Sequence, residues 1–91
     1  MANEIKAKTI TIATAGTPTQ VDNIYSVVER VEVANPAFNT GRIYIGGSDL
    51  AATKRFSIEV GESFSLLRID ITKLYVEVSV NGEKVEVLYF V

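Results

Sequence analysis

Without a histidine or a cysteine, this 91-residue chain can do chemistry only with carboxylates, hydroxyls and amines. A Ser-His-Asp or Cys-His arrangement cannot be built, so acid/base work would fall to Asp22, Asp49, Glu59, Glu62 and Asp70 or to an unusual lysine. None of these carboxylates sits in a recognisable pair. Glu59 and Glu62 flank Val60-Gly61, and Asp70 precedes a strand, which is how solvated turn carboxylates are placed rather than the two acids of a glycosidase. The expectation is a protein that is not an enzyme, with no catalytic residues, no cofactor and no metal, since the usual zinc ligands are also missing.

Two further groups could bind. Gly46-Gly47-Ser48-Asp49 is glycine-rich, but a phosphate cradle feeds a helix N-terminus and carries a lysine, and neither is evident; a calcium site at Asp49 would have few ligands. Glycines allowing positive φ where the chain leaves a strand are the simpler account. Tyr44 and Tyr75 fall on the outward parity of their strands, where aromatic rings bind sugars or sit in protein interfaces or under a loop. No Trp and no cluster of sugar-binding polar residues accompanies them, so interface or cover by a loop is the expected role.

The elements that position these residues are strands. Val, Ile, Thr and Tyr recur in short runs broken by Gly, Asn, Pro and Ser, with no sustained 3.6-residue period. Strands are expected over 5–13, with Ile10 and Ile12 on one face that Lys6 and Lys8 continue toward solvent, and over 25–34, with a bulge or strand change near Glu29, which interrupts an otherwise apolar face. Others are expected over 42–47, 55–60, 63–69, 74–80 and 85–91. Leu74, Val76, Val78 and Val80 should point inward, and Gly61-Glu62 and Asn81-Gly82 read as tight hairpin turns, the latter of type I′. The fold class is therefore all-β: one small β-sandwich or flattened barrel of seven to eight strands, with jelly-roll connections among its options, occupying residues 1–91 behind an N-terminal arm of about residues 1–4.

The last seven residues, VEVLYFV, stop alternating after Glu86, as if both faces of the strand were covered. In so small a domain one cover is its own core, and the other is expected to be a second polypeptide; a central strand buried inside the monomer is the alternative that a short apolar run leaves open. Leu88, Tyr89, Phe90 and Val91 join Tyr44 and Tyr75 as candidate interface residues. A net charge of -2, with basic residues scattered singly, argues against direct nucleic-acid binding, and no segment has the length of a membrane span.

In order along the chain, TAGTPTQ (residues 14–20), NTGRIYIGGS (39–48), GES (61–63) and the ending LYVEVSVNGEKVEVLY (74–89) together resemble small virion proteins of tailed bacteriophages. That resemblance implies a capsid decoration protein, made in the host cytoplasm and located on the capsid surface of the virion. Its expected partners are further copies of itself, as a homotrimer, and the major capsid protein. A tail- or fibre-associated carbohydrate or host-recognition module, using Tyr44 and Tyr75, is the alternative.

Overall fold

The computed structural model describes residues 4–91, so the first three residues of the expected arm lie outside it. The fourth does not behave as an arm: Glu4 exchanges both backbone hydrogen bonds with Val91, at 3.2 and 3.0 Å. Eight strands follow in the order β1 (Ile5–Thr11), β2 (Thr19–Gln20), β3 (Val27–Ala34), β4 (Ile43–Gly46), β5 (Phe56–Ile58), β6 (Ser63–Asp70), β7 (Tyr75–Val78) and β8 (Lys84–Phe90), with a 3-10 turn at Ile71–Lys73 between β6 and β7. They form two four-stranded sheets. Sheet A has the order β1-β8-β3-β6 and sheet B the order β2-β7-β4-β5, every pair antiparallel.

Apart from β4 and β5, consecutive strands lie in opposite sheets, which is the jelly-roll form of a β-sandwich. The core is aliphatic. Val31, Val33, Val85 and Val87 of sheet A and Ile43, Ile45, Val76 and Val78 of sheet B belong to one buried cluster, closed by Ile12, Val21, Ile71 and Leu74. Burial of each such side chain contributes roughly 1.5–3 kcal/mol, and with no disulfide this is the main source of stability.

Both expected hairpins are corrected. Gly61-Glu62 joins β5 of sheet B to β6 of sheet A, and Asn81-Gly82 joins β7 of sheet B to β8 of sheet A. Each turn closes with a backbone bond, Glu62 N to Glu59 O at 3.0 Å and Glu83 N to Val80 O at 3.3 Å. Gly61 (φ 83°) and Gly82 (φ 80°) are at the third position of their turns, and Asn81 is not at positive φ, so the pattern is type II rather than I′. Type II turns splay the flanking strands, and here the strands separate into different sheets. The two corners are also anchored alike. Gly61 N donates to Asn35 O and Asn35 N to Glu62 O, while Gly82 N donates to Ile12 O and Ile12 N to Glu83 O.

The irregularity expected near Glu29 is present, and it involves two strands. Pairing of β3 with β6 skips Glu29 opposite Arg68, and Arg68 is at φ 50°, the only non-glycine residue at positive φ among those described. Since the register is the same on both sides, no residue is inserted; instead the inward parity switches in both strands. Val28 is buried on one side of the break and Val31 and Val33 on the other, and in β6 Ile69 gives way to Leu66 and Phe64.

Candidate functional site: two outer sheet faces and a cleft

Cross-strand register decides which side chains share the outer face of sheet A. Ile5 pairs with Phe90, Phe90 with Arg30, and Arg30 with Leu67, so one row crosses all four strands. Below it run Ala7, Leu88, Glu32 and Ser65, then Thr9, Glu86, Ala34 and Ser63. Ile5 is 64% exposed and Leu67 72%, while Phe90 and Leu88 are half-buried. The face is thus apolar at the Ile5 row and carries Glu32 and Glu86 further down. There the small side chains of Ala7 and Ala34 leave a shallow trough of about 470 Å³.

The inner rows explain why β1, an edge strand, carries lysines. Lys6 and Lys8 share the inward parity of Ile10 and Ile12 and carry that face toward solvent, as the sequence suggests: Lys8 is exposed and its Nζ donates to Val21 O at 2.6 Å, and Lys6 pairs with Glu4 at 3.0 Å. Inward-pointing charges discourage another strand from pairing at that edge.

The C-terminal candidates divide between the two faces. Leu88 and Phe90 face outward, whereas Tyr89 is 5% exposed and packed in the core with Val91 against it, so Tyr89 and Val91 are not available on the outer face. The Tyr89 hydroxyl donates to Asp22 Oδ2 at 2.5 Å, and Ile24 N donates to Asp22 Oδ1. Burial pushes the Asp22 carboxyl up, but the bonds from Tyr89 and Ile24, helped by Lys8, outweigh it and hold the group below the usual carboxylate range. Burial, then the Asp22 charge, raises the Tyr89 hydroxyl well above its ordinary value.

On sheet B, Tyr44 and Tyr75 are outward, as expected, but a loop covers this face. The loop of residues 47–55 folds back so that Leu50 is buried over Gly46, where a Cβ would lie 2.8 Å from Leu50 Cδ1 and 2.9 Å from the Lys54 carbonyl. Close approach, and not positive φ, is therefore what requires glycine there. At the end of this loop the Arg55 guanidinium lies over the Tyr44 ring, 3.6 Å from its centroid, and donates to Glu77 Oε1 at 3.0 Å. Glu77, opposite Tyr44 in the ladder, is 3% exposed.

A third feature is an apolar cleft of about 420 Å³ where the sheet edges β5 and β6 approach each other. It is lined by Ile45, Phe56, Phe64, Leu66, Ile69 and Leu74, with Phe56 leaning on Phe64 at 4.7 Å between ring centroids.

The other candidate carboxylates are engaged in local contacts. Asp49 pairs with Lys54 at 3.3 Å and Glu59 with Arg42 at 2.8 Å; Glu62 accepts from Glu59 N, and Asp70 caps the 3-10 turn through Thr72. Sequence reasoning missed two polar anchors. Asn39 donates to Asn35 and to the Lys84 carbonyl, with Asn35 bonded in turn to Gly41 and Ile58. Glu83 accepts from the backbone of Thr40 and Gly41. The turn-forming segment at residues 35–41 was visible, but not that its two asparagines are buried. Among the described residues no three acidic side chains gather at one point, and every buried side-chain nitrogen and oxygen has a partner.

No family model matches the chain, and no curated protein matches it significantly. Solved structures do. A subunit of the Bacillus endospore appendages, described as a family of disulfide-linked pili, aligns over 97% of this chain and 86% of its own, with 18% identity and a TM-score of 0.54. An RmlC-like cupin protein from Desulfovibrio desulfuricans aligns over 94% of this chain and 71% of its own, with 16% identity and a TM-score of 0.58. IMPa from Pseudomonas aeruginosa, solved with an O-glycopeptide, gives a TM-score of 0.61 at 12% identity, but only 12% of its chain is covered. At these identities the likeness is one of fold.

Proposed function

We propose that the chain is a non-enzymatic structural subunit of an assembled particle and, following its resemblance to small tailed-phage virion proteins, a decoration protein on the outside of the head that ties neighbouring major capsid subunits together. The observation that carries this reading is the outer face of sheet A, where Ile5, Phe90 and Leu67 share a row at the surface with Leu88 beside it. Carboxylates that could have served chemistry are used in caps, corner turns and ion pairs. A solved structure similar in fold comes from Bacillus endospore appendages, which form disulfide-linked pili, so a chain of this fold occurs in another assembled particle. A protein that binds only the intact shell adds its binding free energy to the shell and to nothing else, so it stabilises the particle by mass action.

The sugar-binding alternative has less support, because the Arg55 guanidinium lies over one face of the Tyr44 ring and Tyr75 is half-buried. The test is to strip or delete the protein from particles of its own phage and add it back. Binding should saturate at a fixed ratio to the major capsid protein and raise the temperature at which heads release DNA. Finding the protein only at the tail tip, or heads equally robust without it, overturns the reading.

A further inference from the structure

The row Ile5, Phe90, Arg30, Leu67 has an internal symmetry. The strand order β1-β8-β3-β6 reverses about a line running along the strands between β8 and β3, which exchanges β1 with β6 and β8 with β3. A two-fold axis along that line keeps each row at its own height and lays it on its reversed copy. Ile5 then meets the partner's Leu67, and Phe90 meets the partner's Arg30, an apolar contact and a cation over an aromatic ring, each made twice. We infer that the outer face of sheet A is a self-association surface, and that its occupant is a second copy of this chain packed face to face about this axis. The inference rests on reading that face as an assembly surface, and it names the partner.

An in-plane two-fold perpendicular to the strands is less favourable. An axis along the row itself would set Arg30 on Arg30, and one through the middle row would set the apolar row on the row of Glu86. In the preferred arrangement no like charges are directly opposed: Glu32 faces Leu88 and Glu86 faces Ala34. Glu32 and Glu86 line the trough beside Ala7 and Ala34, which leaves room for water next to both carboxylates in the paired state. Four strands spaced about 4.8 Å apart and seven residues long give a face of roughly 20 by 23 Å. That is at the small end of specific interfaces, and the dimer should be weak and reversible in solution.

The absence of cysteine gives a clean background for cross-linking. Ile5→Cys and Leu67→Cys place single thiols at exposed positions, and packed sheets lie about 10 Å apart, within reach of a short bis-maleimide. Mixing the two variants should give at least ten times more cross-linked dimer than either alone. Arg30 donates to Ser65 Oγ at 3.2 Å and lies 3.9 Å from Glu32, so the variant of choice is Arg30→Gln, which removes the charge and keeps a donor: it should weaken association by tenfold or more in sedimentation equilibrium with little change in the melting temperature. If Ile5→Cys alone cross-links as well as the mixture, if the chain is a trimer with no Ile5-to-Leu67 product, or if it is monomeric at several hundred micromolar, the arrangement is overturned. Self-association with this cross-link in a chain never found on particles supports the contact and removes the virion reading. A head-bound chain that is monomeric and gives no cross-link does the reverse.

Discussion

Tyr89 in the last strand and Asp22 in the loop after β2 are 67 positions apart and share a hydrogen bond of 2.5 Å inside the sandwich. The bond ties the segment around Val21, which is completely buried, to the centre of sheet A. Removing the hydroxyl leaves a nearly buried carboxylate with the backbone amides of Ile24 and Tyr25 and the Lys8 charge to offset its burial. Tyr89→Phe should therefore destabilise the fold by about 1–3 kcal/mol, measured by urea unfolding at pH 7. The doubly apolar variant Asp22→Ala with Tyr89→Phe should lose less than the sum of the singles, and strict additivity would show that the pair does not act as a unit.

Stability against pH follows from the same groups. Asp22, Glu83 and Asp70 have carboxyls lowered in the fold, so their contribution is present above the unfolded carboxylate range near ~4 and is lost as pH falls through the lower folded values. Tyr89 is raised by burial and by Asp22, and Lys6 by Glu4, so their contribution is complete below the unfolded values near ~10 and is lost as pH rises through the folded ones. With no histidine, the melting temperature should be flat from about pH 5 to 9 and fall on both sides. Tyr89→Phe should shrink the alkaline fall; a histidine-like step near neutrality would contradict the scheme.

Gly61 and Gly82 occupy equivalent corners with open space where a Cβ would go, so replacing either one tests backbone conformation alone. Gly61→Ala and Gly82→Ala should each cost about 1–2 kcal/mol, and the costs should add, because the corners belong to different turns. An unchanged melting temperature for either variant would remove the type II assignment at that corner.

Arg68 is the converse case, a side chain in a conformation that suits glycine. Arg68→Gly should be neutral or stabilising by up to about 1 kcal/mol, and Arg68→Val should destabilise by about 1–2 kcal/mol. If the valine variant melts with the native protein, the parity switch at this point does not depend on positive φ.

Arg55 stands between Tyr44 and a Glu77 carboxylate that is almost fully buried. Arg55→Ala should cost about 1–3 kcal/mol by leaving that charge unpaired, and Glu77→Gln in the same chain should recover part of the loss. The check is a double-mutant cycle by thermal unfolding; no recovery would mean that the arginine acts through its stacking on Tyr44.

The strands were legible because period two tells which residues share a face. Val76 and Val78 are buried as the alternation of residues 74–80 required, although the strand ends before Val80, which lies in the corner turn and is 39% exposed. What lies across a strand was not legible. A two-residue connection containing glycine is compatible with a hairpin and with a corner between sheets, and the choice depends on the φ of the residue before the glycine, which Asn81 leaves open. The break at Glu29 could be read from the charge interrupting an apolar face. Its counterpart at Arg68 could not, since nothing in a single strand shows which residue of another strand will face it. The candidate site was half legible for the same reason: Leu88 and Phe90 do face out, and Tyr89 could be assigned to the core only once Asp22 was known to lie within its reach.

The paired backbones of Glu4 and Val91 make the fold, in effect, a ring with one link missing. A short linker joining these positions would let the polypeptide be opened elsewhere, for instance at the Gly61 corner, without changing any layer of the sandwich. It also means that chain attached directly at Glu4 and at Val91 would leave the sandwich from neighbouring points, beside Ile5 and Phe90. A peptide meant for display would then crowd the contact between copies, whereas one inserted at a corner turn would leave that contact free.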